Sequence, residues 1–157
     1  MKQLKSLFSI ILLVLCVFVF SSCSDSDEDD ACQEISDIDF VEIGNGTLSG
    51  GGKENILASN LVISNETDWQ DLMSKMNTVN DVTSRFTETV IDFDQYQIIA
   101  VFLNIKGSGW EVEIETVQEE REGIYVYTKE KEFASAVMTQ PFCIVKIPKT
   151  DKEVRFS

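Results

Sequence analysis

From Gln97 to Leu103 the chain is apolar at nearly every position. A run this short and this continuous reads as a central strand covered on both faces, so the fold must supply apolar cover above and below it. A second apolar run, Phe142 to Ile147, sits between Pro141 and Pro148, and the prolines are expected to mark its ends because they cannot donate ladder hydrogen bonds. Between the two runs, Glu111, Glu113 and Glu115 alternate with Trp110, Val112 and Ile114, the pattern of a half-exposed strand over Trp110 to Val117. Its hairpin partner is Ile124 to Lys129, across the polar turn Gln118 to Gly123.

Upstream, Ile38, Phe40, Val41 and Ile43 suggest a first strand within Ile35 to Ile43, closed by a turn at Gly44-Asn45-Gly46. Ser49 to Glu54 contains three consecutive glycines, but a phosphate loop ending at Lys53 would need Gly at Thr47 and a hydroxyl at Glu54; the segment reads instead as a flexible hairpin tip. Asn60 to Ser64 is a further strand, after which Asn65 is placed to cap a helix with Asp68 at its third position. Trp69, Leu72, Met73 and Met76 then fall on one helical stripe, which reads as core packing with Trp69 anchored against a sheet. Thr78 to Thr89 lacks periodicity and reads as a surface loop. The expected class is α+β: a mostly antiparallel β-sheet or small open barrel with one amphipathic helix packed on it, in a single domain over residues 35–157.

Composition removes several functions. The chain has no histidine, so histidine-dependent nucleophilic catalysis and imidazole-ligated metals are unavailable, and no cofactor is indicated. A formal charge of -14 argues against nucleic acid as a partner, since that requires a basic footprint.

The N-terminal residues carry an address. Lys2 and Lys5 precede an apolar stretch from Leu7 to Phe20 that is too short for the roughly 30 Å hydrocarbon core, which needs about 20 apolar residues. Ser21 and Ser22 lead into Cys23, an arrangement that resembles the lipobox of bacterial lipoproteins, with Phe20 where Leu is usual. The resemblance implies cleavage of a signal peptide over residues 1–22 and acylation of Cys23, which would hold the protein at a bilayer surface in the cell envelope. Residues 23–34 then form an acidic tether, with five acidic residues in the seven from Ser24 to Asp30. This run looks like the surface-export signal of one group of Gram-negative bacteria, implying an outer-membrane and surface-exposed location. With Cys16 in the signal and Cys23 in the anchor, Cys32 and Cys143 remain as a candidate disulfide in an oxidising compartment; the alternative is a reduced, buried Cys143.

Taken in order, the Trp69 helix, Ile91-Asp92-Phe93, Tyr96 to Leu103, Gly107-Ser108-Gly109-Trp110 and Thr139-Gln140-Pro141-Phe142-Cys143 through Lys149 resemble the PrcB family of bacterial lipoproteins. The similarity covers Asn60 to Lys149. Asn104 stands where the family carries Gly, and Gly107 to Trp110 replaces a Thr-Gly-Gly-Tyr type turn. The family is named for a subunit that stabilises a surface protease complex, so the resemblance implies a non-catalytic interaction protein whose partner is an exported protease or another envelope protein. Lys106, Gly107, Ser108, Gly109 and Trp110 form the candidate partner-contact loop: two glycines would free the backbone to approach another chain, and Trp110 would supply an interface anchor. The competing reading makes Trp110 the first inward residue of its strand. Two alternative functions are a hydrolase using paired carboxylates among Asp92, Asp94, Glu111, Glu113 and Glu115, and a binder of cations or small ligands exploiting the acidic charge.

Overall fold

The computed structural model describes residues 35–107 and 109–157. The expected signal segment, the Cys23 lipidation site, the acidic tether with Cys32, and Ser108 lie outside the described residues. The elements are β1 (Ser36–Asp37), β2 (Val41–Ser49), β3 (Ser59–Ile63), helix α1 (Glu66–Met76), a 3₁₀ turn (Thr83–Arg85), β4 (Tyr96–Phe102), β5 (Gly109–Glu120), β6 (Gly123–Phe133), β7 (Thr139–Pro148) and β8 (Val154–Phe156). They form two open four-stranded sheets, in the orders β2-β7-β4-β3 and β1-β5-β6-β8, rather than a closed barrel. Every pairing is antiparallel except β6 with β8.

The two-faced apolar strands set the layering. Successive side chains of a strand point to opposite faces. Thus Ile98, Ala100 and Phe102 of β4, with Phe142 and Ile144 of β7, pack against Trp69, Leu72, Met73 and Met76 of the helix. The intervening Ile99, Val101, Cys143, Val145 and Ile147 pack against Val112, Ile114, Val117, Ile124 and Val126 of the second sheet. The result is helix, sheet, sheet: an α+β sandwich in which β4 and β7 are covered on both faces.

The helix begins where its cap is expected. Asp68 N donates to Asn65 Oδ1 at 3.0 Å, and Asn65 Nδ2 returns a bond to Asp68 Oδ2 at 2.8 Å. Its apolar stripe is buried, and Trp69 Nε1 donates to Thr89 O at 2.9 Å, so the indole's polar end is satisfied as well. Among the described residues no helix is long and apolar enough to cross a membrane.

Two local expectations are corrected. Gly44-Asn45-Gly46 does not turn the chain but lies inside β2, beside a bulge between Glu42 and Gly44. Glycine is required there for packing: a Cβ on Gly44 would stand 2.5 Å from the Phe86 ring. Pro148 ends β7 as expected, but Pro141 does not bound it and lies inside it, two residues past its start at Thr139. Each sits where a neighbouring strand has run out: Pro148 lies past Lys146, the residue paired with the start of β2, and Pro141 lies past Phe142, the residue paired with the end of β4. At Pro141 the missing N–H is replaced by a side chain. Leu103 N donates to Pro141 O at 3.0 Å, and Leu103 O, which would otherwise accept from residue 141, accepts from Gln140 Nε2 at 3.0 Å. As expected, Thr78 to Thr89 is a surface loop, with one 3₁₀ turn at Thr83–Arg85. Asn77 holds it, accepting from Val82 N and Thr83 N at 2.9 and 3.0 Å and donating to Thr83 Oγ1 at 2.7 Å.

Candidate functional site

The segment tied down by Asn77 delivers Phe86 to the edge of the central sheet. Phe86 stacks on Trp69, with ring centroids 6.0 Å apart and planes 16° from parallel, and its ring covers Gly44. Immediately after it, Thr87 N donates to Ile43 O at 2.9 Å and Thr87 Oγ1 to Glu42 O at 2.9 Å, so this segment is fastened along the start of β2. On the other side, Asn45 Nδ2 donates to Val112 O at 3.1 Å and bridges the two sheets. Between these fastenings opens a cleft of about 670 Å³. Its floor is Gly44 to Thr47, one wall is formed by Asn80 to Val82 with Arg85 and Phe86, and the other by Trp110, Glu111 and Phe133.

The expected contact loop divides at this cleft. Lys106 is held from three directions: its backbone exchanges bonds with Thr139 at 2.9 and 3.1 Å, its ammonium pairs with Glu130, and Nζ stands 3.8 Å from the Trp110 ring centroid. Gly109 is needed for packing, since a Cβ there would meet the Phe133 ring at 2.1 Å. Around Gly107 there is open space. Trp110 is half-buried on the cleft wall. Ser108 is outside the described residues.

The thiol at Cys143 is free and 1% exposed, facing the second sheet from the middle of β7. Burial pushes its pKa from the usual 9.0 up to about 11, while a backbone hydrogen bond from Ile114 works against that rise. Its candidate disulfide partner Cys32 lies outside the described residues.

Four of the five candidate catalytic carboxylates are held in ion pairs or in a turn. On the outer face of the second sheet, Glu113 bonds Lys131 at 2.6 Å and Glu115 bonds Lys129 at 2.8 Å, with Glu111 at 3.9 Å from Lys131. The bond from Glu113 raises the Lys131 pKa. Asp92 shapes the turn before β4, accepting from Asp94 N at 3.0 Å and from Gln95 Nε2 at 2.6 Å. Among the described residues no three Cys, Asp or Glu side chains gather as a metal-holding group.

Two buried polar residues fasten segments beside the central sheet. Glu54, 2% exposed, folds back so that Oε1 accepts from Ser49 N at 3.0 Å at the end of β2. Gln140, also 2% exposed, donates to Ile56 O and Leu103 O, each at 3.0 Å. A Glu and a Gln beside Gly-rich or Pro-containing segments give no periodic signal, so only their burial reveals them. No protein-family model matches the chain, and no curated protein or solved structure matches it either.

Proposed function

We propose that this chain is an acylated, non-catalytic envelope protein that holds an exported partner protein at the cleft between β2 and the start of β5. The observation that carries the reading is the meeting, at one concave surface, of Trp110 with the glycine-floored edge of β2 and with Phe86. Large aromatic side chains at a concavity are the usual anchors of protein interfaces. The lipobox-like Ser21-Ser22-Cys23 and the resemblance to protease-complex-stabilising subunits of the PrcB family point the same way. A carboxylate-dependent hydrolase draws less support: Glu113 and Glu115 are ion-paired on an open face, and Asp92 builds a turn. Cation binding has no gathered ligand set to favour it among the described residues.

The test is site-directed crosslinking in native membranes, using Cys32→Ser/Thr47→Cys carrying a thiol-linked photoprobe. The buried Cys143 stays unlabelled, and intact-mass measurement of the same sample reports acylation at Cys23. A discrete adduct with one exported protein is expected. Adducts identical to those from a probe on the outer face, at Glu113→Cys, would overturn the reading.

A further inference from the structure

Resting on that reading, we propose that the occupant of the cleft is an extended, lysine- or arginine-bearing segment of the partner, added as a further strand along β2. β2 is the outermost strand of its sheet. The direction of its peptide groups follows from Pro141. Leu103 N donates to Pro141 O at 3.0 Å, so Pro141 points its carbonyl toward β4, and its register partner Thr47 must point its own N–H and C=O away from β7. Asn45, two residues earlier and opposite Cys143, shares that direction. The flanking outward groups are already taken: Ile43 O accepts from Thr87 N, and Ser49 N donates to the buried Glu54 carboxylate. Asn45 and Thr47 therefore present a short, bounded row of peptide groups to the cleft. A strand of about five residues, roughly 17 Å long, matches that interval.

The side chains of such a strand would alternate between two surfaces. One is the bare floor of Gly44 and Gly46 beside Phe86 and Phe142; the other is the Trp110 wall. Asp81 and Arg85 both line the cleft, so its own charges offset, and the formal charge of -14 on the chain favours a basic occupant. The chain's own N-terminal segment is unsuited. It carries five acidic residues from Ser24 to Asp30, and it joins the domain where Ser36 pairs with Glu119, at the opposite end of β5 from Trp110.

The experiment titrates full-length acylated protein in detergent micelles with the peptide acetyl-Lys-Val-Thr-Val-Thr-Lys-amide, following backbone amide resonances. Saturable shifts centred on Asn45 and Thr47 are expected. Binding should weaken about tenfold or more when alternate peptide nitrogens are methylated, and again when both lysines are replaced by glutamate at low salt. Gly46→Leu fills the floor, where a Cβ would meet Phe142 at the ordinary contact distance of 3.6 Å, and should abolish the shifts in a protein shown to be folded by its remaining amide resonances. Thr47→Pro, which removes one outward N–H, is the second variant. No saturable shift at millimolar peptide, shifts centred on the outer face of β5 and β6, or indifference to N-methylation overturns strand addition. If the membrane crosslink from residue 47 still forms in those cases, partner binding stands and only its geometry falls; if it also fails, both fall.

Discussion

Replacing Gln140 by Met tests whether a side chain completes the ladder that Pro141 interrupts. Met keeps most of the volume but donates no hydrogen bond, so the carbonyls of Leu103 and Ile56, each bonded to Gln140 Nε2 at 3.0 Å, lose their donor together. A buried acceptor left without a partner costs about 1–3 kcal/mol. Leu103 and Ile56 are both half-buried, which places each loss toward the lower end and the total at about 2–3 kcal/mol. For a domain of this size that corresponds to a fall in Tm of about 6–15 °C. The assay is urea and thermal denaturation of Gln140→Met, Pro141→Ala and the double variant. Alanine at 141 restores an N–H directed at Leu103 O, so in the Gln140→Met background it should return about 1 kcal/mol, while in the wild-type background it should do little. A cost below about 0.5 kcal/mol for Gln140→Met, or additive effects in the cycle, would refute the substitution of side chain for backbone.

Gly44→Ala should destabilise by about 1–3 kcal/mol, because its methyl would enter the Phe86 ring at 2.5 Å, whereas Gly46→Ala should be close to neutral; chemical denaturation of the pair checks the contrast. The Cys143 thiol should resist Ellman's reagent in the native state and react only on unfolding. Because its folded pKa is raised, its stabilising effect is present below the unfolded value and is lost as pH rises from about 9 to about 11; Cys143→Ala should flatten the stability profile in that window. Phe86→Ala, which removes the ring stacked on Trp69, should cost about 2–4 kcal/mol and shift the Trp fluorescence. Cys23→Ala should release the protein from the membrane fraction, as judged by Triton X-114 partitioning and intact mass.

The sequence exposes whatever repeats with a period and hides whatever is held by single contacts. Trp69, Leu72, Met73 and Met76 recur at helical spacing, and the unbroken β4 run demands two covered faces, so helix and layering are both legible. Asn45-Gly46 carries the usual turn dipeptide, yet the neighbouring glycine serves the approach of Phe86, and a residue 42 positions away leaves no mark on a local pattern. Phe86 itself lies in an aperiodic stretch fixed by side-chain bonds from Asn77 and Thr87. β8 is missed because three residues paired in parallel with β6 are too few to show alternation. Of the candidate site, Trp110 is legible as a large aromatic at a strand start. The cleft is not, because its floor and its opposite wall come together only when the two sheets stack.

The place of β7 between β2 and β4 dictates when the molecule can fold at all. Its register joins Val41 to Lys146, nearly the whole span of the domain, and without it β4 has a partner on only one side and β2 has none. Loops that long close late, and the sheet forms slowly once they do. A ribosome that has not yet released Thr139 to Pro148 therefore holds a chain without a finished core. Such a chain stays threadable until its last segment emerges, and a premature stop codon before Thr139 would give a product with no native state to reach.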